Sequence, residues 1–201
     1  MSERDYKNKK LLYHVTALEN LASILEFGLL SRVEAEAKGL LKNDVADNDI
    51  IRKRRELGIL NSVPFHFFEP TPFTDCIFKR YRGTTFVTVA IPRIFAEAND
   101  FRIATRHPLN SRVEILPYKE GIEKIDWKTM NLRNYEDEEG RTVCMAECLA
   151  PSPVVPESFH CIFVPDKETQ DTVKSLKEKY RSKARFFVQI NDGLSRKAIT
   201  E

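Results

Sequence analysis

Leu11-Leu12-Tyr13-His14-Val15-Thr16-Ala17-Leu18-Glu19 is the stretch from which the rest of the chain is read. Leu11 to Val15 is short and apolar, as a buried strand requires. Thr16 and Glu19 stand three apart, the spacing of a capping box with Thr16 as N-cap. Leu18, Leu21, Ala22 and Leu25 then recur at helical spacing, and Gly28 supplies a stop. The pattern predicts a strand that delivers His14 to its end, two residues before a helix begins. Polar groups at such ends line clefts.

Downstream, Val33 to Leu41 and Asp49 to Leu57 read as charged helices. Val63–Phe68, Thr85–Ile91, Phe101–Ala104 and Arg112–Leu116 read as strands. Ile125–Asn134 is predicted as a short helix and Tyr135 to Arg141 as a polar loop. Val143–Leu149 and Phe159–Val164 follow as strands, Thr172–Lys183 as an amphipathic helix and Arg185–Ile190 as a last strand. Strands and helices that do not strictly alternate predict an α+β class and not a doubly wound sheet. No repeat, low-complexity tract or Gly/Ser linker divides the chain, so residues 1–201 are expected to form one domain.

Hydrophobic residues at 42% against 31% charged exclude a disordered tail. A net charge of +2, from 32 basic and 30 acidic residues, excludes a polycation and still permits a local basic groove. No apolar run approaches the roughly 20 residues of a membrane helix. The polar start of the chain has no signal core, so a cytoplasmic location is expected. Cys144 and Cys148 are the only close pair among the four cysteines, and no histidine stands beside them at ligand spacing. Reduced, mostly buried thiols and no metal site are therefore expected.

Four features can carry chemistry, and each has a structural alternative. His14 is either a ligand contact at a strand end or a buried structural residue. Arg52-Lys53-Arg54-Arg55 is either a phosphate clamp or a solvated helix face, and at most two of the four can share a cleft. The aromatics of Val63-Pro64-Phe65-His66-Phe67-Phe68 are either core or a stacking wall for a planar ring. Strand alternation lets only Phe65 and Phe67, or only His66, face such a ring. Glu147 lies inside the apolar run Val143-Cys144-Met145-Ala146-Glu147-Cys148-Leu149-Ala150. A buried carboxylate needs a partner, so it faces either a polar cavity or a structural ion pair. Gly-rich phosphate loops, a Gly-x-Ser-x-Gly elbow and a His-Glu-x-x-His helix are all absent from the sequence.

Taken in order, four segments resemble the DarT family of DNA ADP-ribosyltransferases. They are Tyr13-His14-Val15-Thr16 with the run Glu19 to Leu30, Ile51-Arg52-Lys53-Arg54-Arg55, Val63-Pro64-Phe65-His66-Phe67, and Ala146-Glu147-Cys148-Leu149-Ala150-Pro151. The chain departs from the family where Ala17 replaces a second histidine. It departs again at His66-Phe67-Phe68-Glu69-Pro70, where the family has Tyr-Phe and an arginine-bearing turn, and so resembles a divergent member.

The resemblance implies an ADP-ribosyltransferase-like fold of two packed, split β-sheets with an NAD cleft and flanking helices. It implies transfer of ADP-ribose from NAD to a base of single-stranded DNA, thymine or guanine, as the toxin of a pair with a macrodomain antitoxin. Glu147 and Arg55 would be catalytic. His14, Thr16, Arg54, Phe65 and Phe67 would bind NAD. Arg82, Arg106, Arg133 and Arg141 would bind DNA, with Lys79, Arg80, Arg102 and Arg112 as further members of a basic track. The residues alone leave two other readings open: the same chemistry on RNA or protein, or a non-catalytic nucleic-acid-binding module.

Overall fold

The computed structural model describes residues 4–42, 47–180 and 184–191; the start of the chain at 1–3 and the end of the predicted helix at 181–183 lie outside them. The first strand, β1 (Leu11–Ala17), is longer than its apolar run because its neighbour β3 (Phe86–Pro92) pairs with it throughout, from Leu11↔Pro92 to Ala17↔Phe86. That ladder places His14 in the middle of β1 opposite Val89, not at the strand end expected from the sequence, and it overrides the local signal at Thr16. The residue is still strand, its side chain caps nothing, and a short 3-10 turn at Leu18–Asn20 leads into α1 (Leu21–Phe27). Gly28 ends α1 as expected, at φ 84.

On its other edge β1 meets β2 (Ser62–His66) through a single register pair, Tyr13↔His66. Continuing that register by two residues would set Val15 against Pro64, which has no N–H to donate. The ladder stops there. The Pro64 carbonyl instead accepts a hydrogen bond from His14 Nδ1 at 2.8 Å. Beyond this seam, β2 pairs with β6 (Glu147–Pro151) over five positions, including His66↔Glu147. The full order is β5-β4-β6-β2-β1-β3-β7-β8, with β4 (Arg102–Ala104), β5 (Ile115–Pro117), β7 (Cys161–Val164) and a parallel edge strand β8 (Phe187–Ile190). Among the described residues, the two half-sheets implied by the resemblance are joined edge to edge at one residue pair.

Side-chain caps set several helix starts. Ser31 caps α2 (Arg32–Ala37), Asp47 caps α3 (Asn48–Glu56), and Asp166 caps α9 (Lys167–Lys179). Thr71 and Thr74 form a reciprocal box at α4 (Pro72–Arg80). That helix, α5 (Arg93–Ala98) and α6 (Tyr118–Lys124) escape the periodicity because they are short. Asp126 caps α7 (Trp127–Leu132). The predicted polar loop before Glu147 is a turn that becomes α8 (Glu138–Val143), where Asp137 accepts from the Gly140 N–H.

The largest core cluster joins Leu12, Phe65, Phe67, Val89, Ile103 and Ile162 across the sheet. Arg93 runs through its edge and, among the described residues, forms no ion pair with a carboxylate. Its three nitrogens donate to the carbonyls of Leu11, Lys7 and Phe67, and its guanidinium lies over the Phe67 and Trp127 rings. It ties the N-terminal segment to β1 and to the end of β2. Arg93→Met keeps the stem and strands these carbonyls, so urea unfolding is expected to lose about 3 kcal/mol. A loss below about 1 kcal/mol would mean that water replaces the three bonds.

Candidate active site

Where β1 and β2 diverge, a cavity of about 510 Å³ opens, within the range of small-molecule sites. β1 contributes His14 and Thr16, α3 contributes Arg54, β2 contributes Pro64 and His66, and β6 contributes Glu147. Phe73, Ile77 and Arg80 of α4 close one side, and His107 of the β4–β5 connection another.

Glu147 is 3% exposed and opens β6. One nitrogen of Arg54, Nη2, sits astride its carboxylate, 2.5 Å from Oε1 and 2.6 Å from Oε2. The polar cavity and the ion pair, alternatives for Glu147 in the sequence, thus coexist: the pair stands in the cavity wall. Helix geometry selects Arg54 from its neighbours, since successive residues turn by about 100°. Arg52 pairs with Asp49 on the outer face, Lys53 pairs with Glu56, and Arg55 is exposed and does not line the cavity. The position expected for Arg55 at Glu147 is held by Arg54.

Three histidines surround this pair. With His14 Nδ1–H donated to Pro64, the neutral ring presents Nε2 as an acceptor. Burial pulls the His14 pKa down to about 4, against the Pro64 carbonyl, and the His66 ring and Arg54 charge pull the same way. Burial likewise lowers His66 to about 4, against a backbone bond at Ala146, and Arg54 lowers it further. His107 is lowered by burial, while Glu147 pulls it up and Arg54 and His66 pull it down. His66 and His107 were not among the expected site residues. The alternation along β2 was the signal for His66; nothing local marks His107.

Thr16 lines the cavity and its Oγ1 accepts from Asn20 Nδ2 at 3.2 Å. Phe65 and Phe67 do not line it. They are in the core, beside Phe101 and Trp127 respectively, because alternation gives the open face of β2 to Pro64 and His66. Arg82 is exposed outside the cavity lining. Arg106 and Arg112 both pair with Glu139 of α8. Arg133 donates to the Tyr135 hydroxyl and to the Pro70 carbonyl, with Phe68 and Tyr135 under its guanidinium. Arg141 donates to the Tyr135 and Glu136 carbonyls. Three of the four arginines expected on DNA thus hold the α7–α8 region in place. Among the described residues, no group of three or more His, Cys, Asp or Glu is placed to hold a metal, and no helix is long and apolar enough to cross a membrane.

Residues 13–191 match the model of a family described as "DarT: ssDNA thymidine ADP-ribosyltransferase, DarT". A relative from Thermosipho africanus (strain H17ap60334), a "DNA ADP-ribosyl transferase-DNA ADP-ribosyl glycohydrolase fusion protein", is 28% identical over 173 residues, 81% of this chain and 44% of the relative. The chain therefore spans less than half the length of that relative. Among solved structures, "Thermus sp. 2.9 DarT in complex with ADP-ribosylated ssDNA" superposes with a TM-score of 0.82 at 19% identity, covering 96% of this chain and 99% of the other. "Thermus sp. 2.9 DarT in complex with NAD+" gives 0.76 at 18% identity, covering 93% and 98%. "Thermosipho africanus DarTG in complex with ADP-ribose" gives 0.76 at 23% identity, covering 93% and 51%. At these identities the likeness is one of fold.

Three outcomes follow from the charges. Arg54→Met leaves the Glu147 carboxylate buried and unpaired, which costs about 3–5 kcal/mol, whereas Arg55→Ala on the exposed face stays within about 0.5 kcal/mol. Equal losses in urea unfolding would remove Arg54 from its special place. Acid also destabilises the fold: an unfolded histidine protonates near 6.5, but folded His14 and His66 only near about 4. Between those values the unfolded chain binds more protons, so each histidine subtracts about 1.4 kcal/mol per pH unit as the pH falls. Glu69 works in the opposite sense. Burial pushes its pKa from 4.5 to about 7, so the stability its neutral form contributes below 4.5 is lost as pH rises through about 7. Glu69→Gln, neutral throughout, is expected to raise Tm at pH 8 by about 3–6 °C and to change it little at pH 4.5. An unchanged difference between the two pH values would contradict this.

Proposed function

The chain belongs to the DarT family, described as single-stranded DNA thymidine ADP-ribosyltransferases, and from that premise we propose that it transfers ADP-ribose from NAD to a thymine base of single-stranded DNA. The observation that carries this reading is the buried Glu147 carboxylate, held by Arg54 and open to the cavity that His14 also lines. On this reading residues 1–201 act as one ADP-ribosyltransferase domain.

Cleavage of the bond between nicotinamide and ribose develops positive charge at the anomeric carbon. Nicotinamide leaves with the electron pair of that bond, which neutralises its ring nitrogen. Glu147, hydrogen-bonded to the adjacent 2′-hydroxyl, stabilises the sugar cation in a water-poor site. Arg54 holds the carboxylate in place from both oxygens. His14, kept neutral, offers Nε2 to a ribose hydroxyl, with Thr16 two residues along on the same face of β1. Arg80 supplies charge for the diphosphate from α4. The one N–H of a thymine base in DNA, at N3, then bonds its nitrogen to the anomeric carbon and passes its proton to Glu147. That edge is paired in a duplex, which favours a single strand.

Arg82 and Lys79, exposed beside the cavity's α4 wall, are the free ends of a track for the DNA backbone. Arg106, Arg133 and Arg141 act on DNA indirectly, by holding the α7–α8 surface. We place this activity in the cytoplasm, where NAD and single-stranded DNA meet, as a toxin opposed by a macrodomain partner that removes the ADP-ribose. The glycohydrolase half of the Thermosipho africanus fusion relative supports such a partner.

Mass spectrometry of an oligonucleotide incubated with NAD and the protein is expected to find one ADP-ribose on the single strand and none on the duplex. Glu147→Gln should lower transfer at least about 100-fold with folding checked by Tm, while Arg55→Ala should stay within a few-fold of the wild type. Labelling of RNA or protein without the oligonucleotide would replace the acceptor, and full activity in Glu147→Gln would remove the mechanism.

A further inference from the structure

His66 is 6% exposed and lines the cavity. Its register partner is Glu147, so the two side chains project from opposed positions of neighbouring strands, with Cβ atoms about 5 Å apart. Nδ1 of His66 is buried and has no hydrogen-bond partner. Burial beside Arg54 keeps the ring neutral, so one ring nitrogen carries the proton and the other a lone pair. With the proton on Nε2, Nδ1 is the lone pair that no protein group meets. On one side the ring packs near Phe73, centroids 6.1 Å apart. An unmet acceptor costs about 1–3 kcal/mol when buried, and an aliphatic residue would fill this place without that cost.

We propose that His66 is a substrate-binding residue whose Nδ1 accepts a hydrogen bond from an N–H or O–H donor on the molecule bound against Glu147. The proposal rests on the reading of this cavity as the NAD site. Donors of this kind come from two sources: the ribose hydroxyls and carboxamide of NAD, or the N–H edge of the acceptor base. In either case the contact lies on the reacting end of the site, because the register ties His66 to Glu147 and not to the distal wall.

The variants follow the ring's geometry. His66→Asn keeps a carbonyl oxygen near the place of Nδ1. His66→Leu has similar bulk and no acceptor. His66→Gln reaches instead to the place of Nε2. NAD affinity is measured by calorimetry without DNA, and the KM for the oligonucleotide is measured at saturating NAD. A donor on NAD weakens NAD binding about tenfold in His66→Leu; a donor on the base leaves NAD binding intact and raises the oligonucleotide KM about tenfold. In both cases His66→Asn recovers most of the loss and His66→Gln does not. Both constants within twofold of wild type in His66→Leu would overturn the proposal, as would equal values for Asn and Gln. The Asn and Gln pair decides the matter if His66→Leu fails to fold. Absence of NAD binding by the wild-type protein would instead overturn the reading of the cavity.

Discussion

A missing N–H shapes this molecule. Pro64 stands where β2 would next pair with β1, and it cannot donate. The ladder closes after Tyr13↔His66, the His14 side chain takes the carbonyl that the ladder leaves, and the strands part. The sheet is thereby divided into two well-paired halves with a cavity at their junction. Every group assigned a chemical role stands within a few residues of that seam or on an element packed across it.

Burial at the seam sets the protonation states. Two histidines are pushed far enough below their ordinary range to be neutral at neutral pH. The positive charge available to Glu147 is therefore that of Arg54, which cannot be titrated away in the working range. Such a pair is weak evidence for stability, because desolvation offsets much of the attraction. Its retention in the wall of a cavity is better explained by chemistry: a carboxylate delivered in one orientation to a developing cation.

Around the seam, arginines that looked free in the sequence are at work inside the protein. Arg106 and Arg112 converge on Glu139, Arg133 spans Tyr135 and Pro70, and Arg141 binds the turn that precedes α8. The acidic stretch before Glu147 is partly neutralised by these contacts, Glu139 taking two of them. The α7–α8 surface is consequently tied to the rest of the protein by several arginine contacts.

The sequence by itself determined the α+β class, the place of His14 on the first strand, and Glu147 as the one carboxylate in an apolar strand, because local periodicity and the cost of burying charge are written residue by residue. The ordered segments also carried the family. Local pattern could not decide which arginine meets Glu147: Arg54 and Arg55 differ only by a turn of about 100° on α3, and the helix's rotation is set by what it packs against. Nor could it choose the face of β2, since a one-residue change of register exchanges His66 for Phe65 and Phe67. The place of His107, the internal use of Arg133 and Arg141, and the seam itself depend on contacts between residues far apart in the chain, which only the tertiary structure brings together.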